Sequence, residues 1–199
     1  MTRIEQYAEQ YPLMIIMPDG GRSFYCDSPA GMVESYIMKD LIPFIDQTFP
    51  TRPVKRYRAI GGLSMGGYGC MKLGLKYYDT FGAIASHSGA HEFAHADPED
   101  LFAGIYDAGT ILEHCTSESD DCYMLAEKCP RRRRPAVYID CGRDDFLYNS
   151  NNRFTRHLKK VGFAHTYKRF PGEHNWPYWD EHIVDALEFV AAKMKLKKL

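Results

Sequence analysis

Two kinds of apolar segment alternate along this chain. Short runs read as buried strands at residues 13–17, 57–60, 83–86, 136–139 and 165–170, the first of them closed by Pro18-Asp19-Gly20-Gly21. Between them lie stretches with helical spacing at residues 3–10, 32–49, 68–78, 151–161 and 178–195. Val33, Tyr36, Ile37, Leu41, Phe44 and Ile45 mark the inner face of the second stretch, and Ile183, Leu187, Val190 and Met194 that of the last. Strands that alternate with helices predict a mostly parallel sheet covered on both faces. Residues 89–130 break the rhythm, being polar and rich in histidine and acid, and predict an insertion that acts as a lid. With 199 residues, no repeat and no linker, the chain is expected to form one domain.

The chemistry starts at Gly61-Gly62-Leu63-Ser64-Met65-Gly66-Gly67, where a predicted strand hands over to a predicted helix. Gly62-x-Ser64-x-Gly66 is the nucleophile-elbow pattern: the turn is sharp, the serine backbone is strained, and a side chain at either glycine would collide with a neighbour. The bland alternative is a glycine-rich turn with a helix-capping serine. A serine hydroxyl needs a base to take its proton and a carboxylate to orient that base. In α/β-hydrolases these follow in the order Ser, Asp or Glu, His, each on a loop after a strand. One loop here is Cys141-Gly142-Arg143-Asp144-Asp145, the other Pro171-Gly172-Glu173-His174-Asn175-Trp176. His174 is therefore the expected base, and the Asp144-Asp145 pair supplies the carboxylate, with the choice between them open at this point. An oxyanion needs two backbone donors. Met65 N–H is the expected first, whereas no His-Gly-Gly-like loop supplies the second, since Gly20-Gly21 stands at the wrong place in the order.

Charge changes the picture little. A formal net charge of −1 offers no electrostatic reason to expect nucleic acid or an anionic membrane as partner. No apolar run reaches about 18 residues, so no membrane span is expected. The first residues run directly into a polar, helix-like stretch, so no signal peptide is expected either. Cys70 and Cys141 fall in apolar segments. Cys115, Cys122 and Cys129 stand at intervals that suit one helix face and lack the C-x-x-C pairs of structural zinc. A cytoplasmic setting is the expectation.

Four blocks together resemble a known family: Gly62-Leu63-Ser64-Met65-Gly66-Gly67-Tyr68-Gly69, Met17-Pro18-Asp19-Gly20-Gly21-Arg22-Ser23-Phe24-Tyr25, Asp140-Cys141-Gly142-Arg143-Asp144-Asp145-Phe146-Leu147-Tyr148 and Gly172-Glu173-His174-Asn175-Trp176-Pro177-Tyr178-Trp179-Asp180. In that order they are similar to the Putative esterase (esterase D-like) family of α/β-hydrolases. It includes tributyrin, feruloyl and acetylxylan esterases, S-formylglutathione hydrolases and mycolyltransferases. The resemblance implies an α/β-hydrolase fold and a serine carboxylesterase that needs no metal or cofactor. It places the carboxylate three residues after the loop glycine, which selects Asp145. The expected set is thus Ser64, Asp145 and His174, with Met65 in the oxyanion hole. The implied substrates are small-molecule or carbohydrate esters of short-chain, acetyl or feruloyl type. The S-formylglutathione branch tends to carry a histidine before the serine, where this chain has Leu63. The family also carries further strands and an oxyanion loop ahead of the segment that opens this sequence. The strand at residues 13–17 would then be the fold's fourth, and the lack of a third would leave unpaired backbone groups in the sheet. An N-terminally truncated product is therefore expected, with an inactive hydrolase-fold protein or binding module as the alternative.

Other motifs compete. His91-Glu92-Phe93-Ala94-His95 matches H-E-x-x-H, in which two histidines one helical turn apart bind zinc. Its position after a strand end and just before Asp97-Pro98 favours a polar lid helix instead. Arg131-Arg132-Arg133-Arg134, between Pro130 and Pro135, reads as a solvated strand entry, and the lysines from Lys193 to Lys198 as a helix C-terminus. Of the aromatics beside His174, Trp179 stands at helical spacing and reads as core, and Trp176 reads as the wall of an acyl or aromatic pocket.

Overall fold

The computed structural model describes residues 1–95, 111, 113, 114 and 118–199. Its centre is a sheet of four parallel strands, β3 (Ala59–Leu63), β4 (Ala83–His87), β5 (Ala136–Gly142) and β6 (His165–Phe170), in that spatial order. The register runs Gly61↔Ala85, Ala85↔Tyr138 and Tyr138↔Thr166. A short antiparallel ladder, β1 (Asp27–Ser28) with β2 (Gly31–Met32), stands apart.

Alternation along the strands decides what each face buries. Ile84, Val137 and Ile139 point to the side covered by α3 (Met65–Lys76), α4 (Cys122–Lys128) and α5 (Tyr148–Lys160), where Tyr68, Met71, Leu75, Leu125, Phe154 and Leu158 complete the core. Ala85 and Tyr138 point to the other side, against Ala186 of α6 (Trp176–Met194). On the outer surface of α6, Leu187 and Ala191 receive Ile4 and Tyr7 of α1 (Ile4–Ala8) and the Tyr11 that follows it. The architecture is the α/β-hydrolase type expected, with helices on both faces of a parallel sheet.

Where the structure departs from the sequence pattern, local chemistry explains it. Residues 13–17 form no strand. Leu13 and Ile15 pack towards Leu187 and Ala191 of α6, while Met14 and Ile16 face out. A strand exists only through its ladder, and among the described residues none lies beside this segment, while β3 is paired on one side only, by β4. The helix expected over residues 32–49 is continuous but irregular. Val33–Ser35 leads into a π-helical stretch, Tyr36–Leu41, then Ile42–Thr48, and the three together are α2. Pro43 accounts for the widening: it has no N–H to give, and its ring would press on the Lys39 carbonyl in a regular helix. α6 begins two residues earlier than the apolar spacing suggests. The Asn175 side chain accepts the Tyr178 N–H, and Pro177 fits the first turn. Within residues 89–130, the described elements include a 3-10 turn at Phe93–His95 and α4; residues 96–110, 112 and 115–117 of the expected lid lie outside the described residues. Among the described residues, no helix is long and apolar enough to cross a membrane.

Candidate active site

Ser64 sits between the last residue of β3 and the first of α3 with φ 54° and ψ −116°, a conformation that costs a non-glycine residue roughly 1–3 kcal/mol. The surroundings hold it there. Its N–H donates to the His87 carbonyl at 2.9 Å, and its own carbonyl accepts from Tyr68 N–H at 3.1 Å and Ala90 N–H at 3.2 Å. A Cβ on Gly62 would run into the Gly66 carbonyl, which is why the turn tolerates no side chain there. Met65 opens α3, so its N–H belongs to the donors at the helix start that have no acceptor within the helix, at the positive end of its dipole.

Two loops at the ends of β5 and β6 bring in the other side chains. They are tied together by Arg143 N–H on the Phe170 carbonyl (2.9 Å) and Asp144 N–H on the Gly172 carbonyl (3.0 Å). Gly142 lies so close to the Gly172 carbonyl that a Cβ could not be placed between them. From this clamp Asp145 turns inward and is buried, while Asp144 is exposed. The His174 ring stands between two partners. Its Nε2 lies 2.8 Å from Ser64 Oγ, and its Nδ1 lies 3.0 and 2.9 Å from the two Asp145 oxygens. Asp145 Oδ1 also accepts Leu147 N–H at 2.8 Å. Burial alone would raise the Asp145 carboxyl, but hydrogen bonds from His174, Ser88 and the Leu147 N–H outweigh it and hold the group below its ordinary value. The carboxylate is thus an acceptor at neutral pH, matched to an Nδ1–H. Such an arrangement can transfer a proton from Ser64 to Nε2.

Aromatic rings frame His174. The edge of Trp179 meets it at 4.9 Å and Phe146 lies 4.4 Å from it. Trp179 is buried, whereas Trp176, packed edge-on to Trp179 at 5.3 Å, is 47 % exposed beside Phe146 at 69 %. Trp179 is thus core, as its helical spacing suggests, and Trp176 stands at the surface. Beneath the site a second pair is buried, His87 Nδ1 against Asp140 Oδ2 at 2.8 Å, with Asp140 Oδ1 accepting the Tyr178 hydroxyl at 3.0 Å. The sequence alone assigns no role to Ser88 or to the His87–Asp140 pair. Only the adjacency of residues 87 and 88 to the end of an apolar strand could have pointed to part of them.

The zinc reading of His91 and His95 does not fit this structure. His91 lies in a turn and only Phe93–His95 is helical, as a single 3-10 turn, so the two positions are not stacked on one α-helix. Glu92 accepts from Arg153 Nε and Nη2 and from the Tyr123 hydroxyl at 2.9 Å. His91 is fully buried against the Phe154 ring at 4.4 Å. Burial pushes it down to about 3, against the opposing Glu92 carboxylate and Asn151 amide. The unfolded chain would bind this proton near pH 6.5 and the folded chain would not, so between those two values acid favours unfolding. The expected result is a urea midpoint that rises from pH 4 to pH 7, with His91→Gln flattening that rise by about 3–5 kcal/mol at its full extent. Equal pH slopes for the two proteins would refute it.

Of the remaining motifs, Cys122 and Cys129 are buried at the two ends of α4 and Cys115 lies outside the described residues. No disulfide joins the five described cysteines. Burial pushes the Cys70 thiol up to about 12. The arginine run forms a 3-10 turn at Arg131–Arg133, but Arg134 is not simply solvated: it lies over the Phe163 ring at 4.4 Å and donates to the Gly162 carbonyl at 2.8 Å.

Comparison with known proteins follows the same outline. An acetyl esterase of Caldicellulosiruptor saccharolyticus is 30 % identical over 202 residues, covering 96 % of this chain and 76 % of that protein. The crystal structure of an S-formylglutathione hydrolase from Staphylococcus aureus superposes with a TM-score of 0.82 at 29 % identity, over 95 % of this chain and 76 % of the other. A ferulic acid esterase gives a TM-score of 0.71 at 27 % identity, over 85 % of this chain and 64 % of its own. The family described as Putative esterase matches residues 2–190, and the chain belongs to that family of ester hydrolases.

Proposed function

We propose that this chain is a serine carboxylesterase working through an acyl-enzyme. The observation that carries the reading is the unbroken line from Ser64 Oγ through the His174 ring to Asp145, each step within 3.0 Å. His174 Nε2 takes the Ser64 proton as Oγ attacks the ester carbonyl, while Asp145 fixes the tautomer that leaves Nε2 free and stabilises the imidazolium. The Met65 N–H receives the developing oxyanion. His174 then gives its proton to the leaving alcohol and later activates the water that releases the acid. No step calls on a metal or cofactor.

The substrates are short-chain or carbohydrate-linked esters of acetyl or feruloyl type. Support comes from the relatives named above and from the exposed Phe146 ring, 4.4 Å from His174, against which a bound ester can pack. Residues 89–130 act as the lid that shapes acyl preference. The test is hydrolysis of p-nitrophenyl acetate and butyrate by the folded chain, with stopped-flow detection of a burst. One p-nitrophenolate released per protein before steady turnover is the expected result. Folded protein with no turnover above buffer would overturn the reading and leave a hydrolase-fold binding module.

A further inference from the structure

The residue that follows β4 is unusual for its conformation. Ser88 has φ 47°, in the left-handed region that glycine occupies at little cost, and glycine stands at the next position, Gly89. Ser88 is fully buried, and its N–H donates to the Asp140 carbonyl at 2.8 Å. Since the backbone alone would be better served by glycine, something in the side chain offsets the strain. Its hydroxyl oxygen accepts the Trp179 indole N–H at 3.3 Å, and Trp179 meets the His174 ring edge-on at 4.9 Å. A buried hydroxyl whose oxygen already accepts must direct its proton to an acceptor. Two groups stand beside it, the neutral Cys141 thiol and the Asp145 carboxylate, and the carboxylate is the stronger acceptor.

We propose that Ser88 is a positioning residue for the Ser64–His174–Asp145 set: its hydroxyl, aimed by Trp179, donates to the Asp145 carboxylate and so sets how strongly that carboxylate draws on the His174 Nδ1 proton. The inference rests on the esterase reading for its kinetic consequence but not for its electrostatic one. An Asp145 that has lost one donor becomes more basic and holds the His174 proton harder, so His174 titrates at higher pH. Other groups face the set and are the same in wild type and in variants at Ser88. The Cys141 thiol of β5 is pushed up by burial and by Asp145 itself, and so stays neutral. Asp140 of β5 is engaged by His87 of β4 and Tyr178 of α6. Arg143, Asp144 and Glu173 lie exposed on the two loops.

The experiment compares wild type with Ser88→Ala and Ser88→Gly, following the His174 imidazole resonance against pH by NMR alongside the pH profile of p-nitrophenyl acetate hydrolysis. Ser88→Ala removes only the hydroxyl, and Ser88→Gly, which removes the whole side chain, suits the φ of this position and so keeps the fold. Both variants are expected to move the imidazole midpoint and the acid limb of kcat/KM up by about 0.5–1 pH unit. Rates at pH 7 should fall roughly tenfold, with KM within about twofold. A Ser88→Gly protein with the wild-type imidazole midpoint would overturn the proposal and leave Ser88 as a turn residue. A wild-type chain without turnover would overturn the esterase reading instead, and the NMR titration would still decide the role of Ser88.

Discussion

Ser64→Ala and His174→Ala are each expected to lower kcat for p-nitrophenyl acetate by about 10⁴–10⁶-fold, because a set that works as a unit loses nearly everything with any one member. Asp145→Asn should cost about 10⁴-fold without disturbing the fold. An asparagine can turn its NH2 towards His174 Nδ1, which then must accept, and the proton moves to Nε2, where it blocks removal of the Ser64 proton. Asp144→Asn is the internal control. That side chain is exposed and makes no contact with His174, so its kcat should stay within about twofold of wild type. Steady-state kinetics on variants with matched thermal midpoints make the comparison. A large loss at residue 144 with little at 145 would mean that the carboxylate has been assigned to the wrong aspartate.

The second large effect concerns stability. Lys72 on α3 has no exposed surface, and its Nζ lies 2.8 Å from Glu34 Oε2 and 3.0 Å from Asp120 Oδ1. Burial would push this ammonium down, but Cys26, Glu34 and Asp120 overcome it and hold the group well above its ordinary value, so it stays charged. Glu34 is further held by Lys76 at 2.6 Å and by the Tyr77 hydroxyl at 2.7 Å. The cluster joins the start of α2, the elbow helix and the segment just before α4. Lys72→Met keeps the length of the side chain and removes its charge, which leaves two buried carboxylates short of a partner. The expected loss is about 3–5 kcal/mol in urea unfolding at pH 7. Tyr77→Phe, which removes one hydroxyl from a carboxylate that keeps both lysines, should cost about 1–2 kcal/mol. A Lys72→Met protein within about 1 kcal/mol of wild type would show that the cluster contributes little net stability.

How much could be read before folding depended on whether a residue's demand is local. The elbow glycines were legible because their constraint is steric and lies within five residues: Gly62 must be bare because Gly66 folds back on it. The two loops were legible because each follows a strand. The choice between Asp144 and Asp145 was not local, since both stand on one loop and only the clamp through Gly142 and Gly172 turns one inward. Residues 13–17 failed for the opposite reason. Their composition suits a strand, yet pairing depends on what lies alongside, and Leu13 and Ile15 are satisfied by α6 instead. Ser88 was invisible because a left-handed backbone at a serine leaves no mark in the letters. The H-E-x-x-H match misled because the spelling presumes a helix that residues 91–95 do not form.

Ser64 and His174 are 110 positions apart and leave from β3 and β6, the two outermost strands of the parallel sheet. Their 2.8 Å contact therefore closes only once all four strands lie in register, the slowest kind of pairing for a chain to complete. Reactivity at Ser64 becomes a clock for assembly. During refolding, capture by a serine-directed reagent should lag behind helix formation and keep pace with the last strand to dock, so the chemistry of one hydroxyl reports the completion of the whole sheet.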